Sequence, residues 1–155
     1  MCDWKRVDPL AIRGHRQPSD LKAVGAQTVT LRPVRILALL PALLIAGVIW
    51  KLSATPNLAI AHGTLDLVLR KLAHMSAFGA LAAACVLAVR AQHARVCTAI
   101  NVGALLAIAY AAIDEYHQTF VPTRHGALSD VGIDAFGVGI ASIVLIRVFV
   151  RRGVT

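Results

Sequence analysis

Between Ala111 and Asp130 the chain reads AAIDEYHQTFVPTRHGALSD. Asp114, Glu115, His117, Gln118, Arg124, His125 and Asp130 gather there, in a sequence that is 57% hydrophobic and only 15% charged. Carboxylates beside an imidazole suit general acid and base work when burial raises one carboxyl pKa, and the same donors suit a divalent cation. An arginine among them suits an anion instead, because its planar fork grips phosphate or carboxylate through paired hydrogen bonds. Two further pairs reach beyond this stretch. Lys71 and His74 are three apart, and Asp130 and Asp134 are four apart, so each pair shares one face of a helix. Asp114 and Gln118 do the same if their helix continues past Ile113.

No catalytic signature accompanies these residues. GxSxG, HExxH and P-loop patterns are absent, and Ser129 has no identifiable partner base. Catalytic residues therefore stay unassigned, and neither a resident metal nor another cofactor is expected. The candidate ligand-binding set is Lys71, His74, Asp114, Glu115, Gln118, Arg124, Ser129, Asp130 and Asp134.

The elements that must position this set are membrane spans. Mean hydropathy is +0.69, and the apolar residues come in blocks rather than at amphipathic spacing. Crossing the hydrocarbon takes about 20 apolar residues. Four stretches approach that length: Val34 to Leu52, Leu72 to Val89, Val96 to Ile113, and Val131 to Val150. The fold class expected is all-α, a polytopic four-helix bundle over residues 34–150, with a disordered basic arm over 1–33 and a tail over 151–155. Pro41 should kink the first span or mark a re-entry point.

Basic residues orient such a bundle, since Lys and Arg in short loops are retained on the cytoplasmic side. Of the sixteen Lys and Arg, Lys51, Arg70, Lys71 and Arg124 fall on one side and the other twelve fall in the arm, around Arg90 and Arg95, and near Arg147 to Arg152. That asymmetry predicts both termini inside, with the polar set on the extracytoplasmic face. It also accounts for the net charge of +8 without nucleic acid, for which no helix-turn-helix, zinc-finger or RNP-like pattern is present. The three cysteines lack CxxC spacing and are expected to serve packing.

Helix-end charges often mark only the water interface, where long basic side chains snorkel. That reading covers Lys51, Arg70 and Arg147. It covers His74 and Asp134 poorly, because each lies about one turn inside an apolar block, where ionisable groups face a bundle interior or wet cavity. His117 and His125 are expected to face water. Gly79 with Ala83, the series Gly103, Ala107 and Ala111, and Ala135 with Gly139 follow the small-xxx-small spacing that lets helices approach in lipid. Asn101 is expected as interhelical glue.

The order and spacing of these residues resemble the VanZ-like family, named for an accessory protein of teicoplanin resistance. RKLAHMSAFGALA is similar to the family's second-helix motif, AAIDEYHQTFVPTRHGALSDVGIDAFGVGIA to its loop and last helix, and KLSATPNL to the segment after its first helix. By resemblance the positions carried over are Lys71, His74, Asp114, Glu115, Gln118, Pro122, Arg124, Ser129, Asp130, Asp134 and Gly137. Thr123 stands where the family tends to have glycine. The resemblance implies an inner-membrane, multi-pass protein, and for some members reduced glycopeptide susceptibility, without fixing a reaction or ligand.

Three functions follow from the residues. The first is binding of an anionic membrane lipid or lipid-linked cell-envelope precursor at the outer leaflet, held by Lys71 and Arg124. The second is an enzyme acting on a lipid headgroup through carboxylate and histidine acid-base or metal-assisted chemistry. The third is a structural ion network tying helix ends together. Oligomeric state leaves no trace in the sequence.

Overall fold

The computed structural model describes residues 33–56, 63–124 and 126–153. The basic arm expected over 1–33 lies almost wholly outside these residues, as do the end of the tail and His125. Every element among the described residues is helical: α1 (Pro33–Leu37), α2 (Leu40–Ser53), α3 (Gly63–Ala91), α4 (Val96–Gln118) and α5 (Leu128–Arg151). Helices are the necessary form for these segments, because a backbone crossing lipid must satisfy its own hydrogen bonds. Four helical stretches are long and apolar enough to cross a membrane, beginning with Arg35–Ser53.

The first of these is interrupted by a turn at Ala38 and Leu39, between α1 and α2. Pro41 sits in the first turn of α2, where its missing N–H needs no acceptor and its fixed φ suits a helix start. The predicted kink is therefore a break and restart. The other spans are longer than their apolar blocks. α3 begins nine residues before Leu72, α4 runs on to Gln118, and α5 starts three residues before Val131. Hydropathy marks the lipid-compatible part of a helix, whereas hydrogen bonding carries the helix on through Asp66, Arg70, Glu115 and Ser129.

Packing is centred on α3, which meets α2, α4 and α5. Phe78, Leu81, Ala82, Ala107, Ala111, Val138 and Ile49 form one buried cluster, and Val86, Ala99 and Ile100 form another toward the loop between α3 and α4. Large aliphatic residues such as Leu44, Leu105 and Val150 are exposed, as lipid-facing side chains must be.

Since lipid is as apolar as leucine, close backbone approach has to supply much of the helix–helix attraction. A Cβ on Gly103 would lie 2.7 Å from Val86 N, and one on Gly137 would lie 2.1 Å from Met75 O. Gly79 crosses Gly137 at the same α3–α5 contact. The expected stripe on α5 is corrected by one helix face: Gly139 is exposed with open space around it, and Asp134, Gly137 and Val138 are buried instead. Asn101 is exposed rather than between helices. Cys85 is a free thiol, half-buried on α3.

Candidate functional site

The polar side chains converge where the C-terminal ends of α2 and α4 meet the N-terminal halves of α3 and α5. They form tiers of increasing burial. At the rim, Lys71 Nζ on α3 pairs with Asp130 Oδ1 on α5, both partly exposed. Almost a helical turn deeper, His74 Nδ1 stands 3.7 Å from Asp134 Oδ2, with the Asp134 side chain 1% exposed. The three- and four-residue spacings place the two ion pairs on facing helices.

α4 contributes a third group. Asp114, fully buried, accepts hydrogen bonds at Oδ2 from Ser53 Oγ at 2.8 Å and Gln118 Nε2 at 2.9 Å. Glu115 accepts from Gln118 Nε2 at 3.2 Å and from the Ala127 backbone N–H at 3.0 Å. The latter bond requires the returning loop to press on the end of α4. Gly126 permits this, since a Cβ there would fall 2.0 Å from Glu115 O.

Arg124, in that loop, neutralises neither Asp114 nor Asp130 through a hydrogen bond. Its Nη2 donates to Leu52 O at 3.1 Å, which also accepts from the Thr55 backbone N–H at 3.2 Å, and to Thr55 O at 3.2 Å, so it ties the loop to the C-terminal end of α2. Burial, with the neighbouring Arg70 charge, pushes the Arg124 guanidinium below its usual range. The preceding Thr123 has φ 69°, in the left-handed region that disfavours a β-branched residue. Glycine would occupy that conformation without strain.

Lys71, His74, Glu115, Gln118, Arg124, Asp130 and Asp134 line one cavity of about 200 Å³, together with Leu67, Arg70, Thr123 and Ile133. Asp114 lies behind its wall. Ser129 is exposed, and its hydroxyl reaches only the adjacent Asp130 at 3.4 Å. A second cavity of about 100 Å³ is largely apolar, lined by Ile49, Leu52, Ala73, Ala77 and Phe78 among others, and shares Arg70, His74 and Arg124 with the first.

A model of the VanZ/LLP1 family matches residues 12–150. The chain belongs to that family. No curated protein and no solved structure matches the chain at a significant level. Within this VanZ/LLP1 chain, the lysine and histidine of RKLAHMSAFGALA face the two aspartates of SDVGID across the cavity.

Two participants in this polar cluster, Arg70 and Ser53, carried no distinctive sequence signal, and His117 lies beside it. Arg70 is more than a snorkelling side chain: it pairs with buried Asp66 at 2.5 Å and lines both cavities. The i, i+4 spacing of Asp66 and Arg70 was the available clue. Ser53 holds Asp114 from another helix, a contact that only tertiary structure creates. His117, expected to face water, stacks on Trp50 with ring centroids 3.9 Å apart, so it serves the α2–α4 contact.

Proposed function

We propose that this multi-pass membrane protein binds the headgroup of an anionic membrane amphiphile, such as a lipid-linked cell-envelope component, with its apolar chain beside α2 and α3. One observation carries the reading. Arg70 Nε and Arg124 Nε are buried without a hydrogen-bond partner, and both residues belong to the polar and the apolar cavity alike. A buried guanidinium N–H lacking an acceptor is costly, and a phosphate or carboxylate oxygen removes that cost. Lys71 adds a cation at the rim. The adjoining apolar space suits a hydrocarbon chain.

The charge asymmetry along the sequence supports a site on the extracytoplasmic side, and the proposal takes the membrane to be a bacterial cytoplasmic one. A role in glycopeptide susceptibility would follow from holding or masking an envelope precursor there. The test is mass spectrometry of lipids retained by the protein purified in mild detergent. An anionic amphiphile enriched over its share of the membrane is expected, with enrichment falling at least threefold in Lys71→Gln and Arg124→Lys. Retained lipid that mirrors the bulk membrane, or that both variants keep in full, overturns the proposal.

A further inference from the structure

We infer that His74, Glu115 and Asp134 form a binding site for one divalent transition-metal ion of the Zn²⁺ or Mn²⁺ class. One ligand atom from each residue, an imidazole nitrogen and two carboxylate oxygens, lies within 4.8 Å of the other two. The three come from α3, α4 and α5, so the scaffold that holds them is the packed core of the bundle.

Asp134 supplies the independent observation. It is 1% exposed, it lines the cavity, and neither of its carboxylate oxygens has a hydrogen bond. A carboxylate so placed demands a compensating charge. His74 Nδ1 stands 3.7 Å from Asp134 Oδ2, whereas an N–H···O hydrogen bond closes to about 2.7–3.2 Å. Ligands bound about 2.1 Å from a metal stand roughly 3.0–3.4 Å from one another. The pair is nearer to two ligands of one ion than to a closed ion pair. Drawing in the widest separation takes side-chain shifts of under about 1 Å each.

Glu115 is prepared for the same task. Each of its oxygens accepts one hydrogen bond, from Gln118 and from Ala127, which fixes the carboxylate and leaves a lone pair on each oxygen. With a neutral imidazole the set carries two negative charges, matching a divalent ion. None of the cations around the cavity pairs with this triad: Lys71 meets Asp130, Arg70 meets Asp66 and Arg124 Nη2 meets the end of α2, leaving only the Nε of each arginine without a partner. The imidazole favours Zn²⁺ or Mn²⁺ over Mg²⁺ and Ca²⁺, which take all-oxygen surroundings.

The experiment uses untagged, full-length protein in detergent, stripped with chelator and titrated with Co²⁺ and Mn²⁺. One equivalent of Co²⁺ should bind with visible d–d absorption, and bound Mn²⁺ should show coupling to one imidazole nitrogen in pulsed electron paramagnetic resonance. Asp134→Asn and Glu115→Gln should each weaken binding at least tenfold, His74→Gln should abolish the nitrogen coupling, and His93→Gln at the opposite loop should change nothing. Absence of stoichiometric binding by the wild type overturns the inference, as does full-strength binding by Asp134→Asn or nitrogen coupling that survives His74→Gln. If Asp134→Asn or Glu115→Gln fails to fold, loss or survival of the nitrogen coupling in His74→Gln still decides the matter. Metal bound by a protein carrying only bulk lipid would overturn the amphiphile proposal alone, and selective lipid without metal would overturn this inference alone.

Discussion

Replacing Gly137 by alanine puts a methyl group where the structure has no room. The new Cβ would lie 2.1 Å from Met75 O and 2.9 Å from its carbonyl carbon, against ordinary contacts beyond about 3.4 Å. Met75 O belongs to the α3 backbone and cannot rotate away, so α3 and α5 must separate by about 1 Å. Overpacking of this kind costs typically 1–3 kcal/mol, partly offset by about 1 kcal/mol of improved helix propensity. Gly103→Ala also meets backbone, less tightly, 2.7 Å from Val86 N and near the other end of α3. Gly139→Ala meets nothing within 4 Å and should be neutral or slightly stabilising. Thermal unfolding in detergent, followed by tryptophan fluorescence, should therefore drop by several degrees for Gly137→Ala and Gly103→Ala and hold or rise for Gly139→Ala. Lipid retention separates the first two. Met75 adjoins His74, so spreading at Gly137 widens the His74–Asp134 gap and should reduce retention, while Gly103→Ala should keep it in whatever fraction stays folded. Equal melting temperatures for Gly137→Ala and Gly139→Ala would refute the argument from backbone contact.

Thr123→Gly should raise the melting temperature by roughly 2–4 °C, consistent with relief of about 1 kcal/mol of left-handed strain; an unchanged or lower value would show that the loop does not hold that conformation. Arg124→Lys keeps the charge but loses the guanidinium that bridges two carbonyls of the α2 end, so it should cost about 1–2 kcal/mol, read as a lower melting temperature. Orientation is checked by a reporter after Thr155, expected to remain cytoplasmic, and by Leu128→Cys, which is 90% exposed and should react with an impermeant thiol reagent in intact cells whose outer barrier is permeabilised. Labelling that appears only after lysis would reverse the bundle.

The spans were legible from their uninterrupted apolar blocks, and the tiers of polar residues from their local spacing. Lys71 with His74 and Asp130 with Asp134 share faces by spacing alone, and the structure pairs them across the cavity in that same order. What spacing does not carry is the partner on another helix. Ser53 ends α2 as a single hydroxyl in an apolar run, and nothing near it in sequence announces Asp114, 61 residues on. His117 sits among polar neighbours, which suggests water, yet its face of α4 meets Trp50. The α5 stripe was misplaced because small residues recur at Ala135, Gly137 and Gly139, and burial rather than residue size selects among them. Thr123 departed from the family's glycine tendency, and its φ of 69° gives that departure a physical meaning.

The apolar cavity between α2 and α3 has a consequence for how any ligand is counted. A molecule whose chain rests there arrives sideways from the bilayer, already concentrated and oriented in two dimensions, and much of the translational and rotational freedom that free association must surrender is lost before it meets the protein. Occupancy then tracks the ligand's mole fraction among the surrounding lipids rather than its amount per litre. A site with few contacts can stay filled when its ligand is a few molecules per hundred in one leaflet, and can empty when that leaflet's composition changes while the cell's total does not.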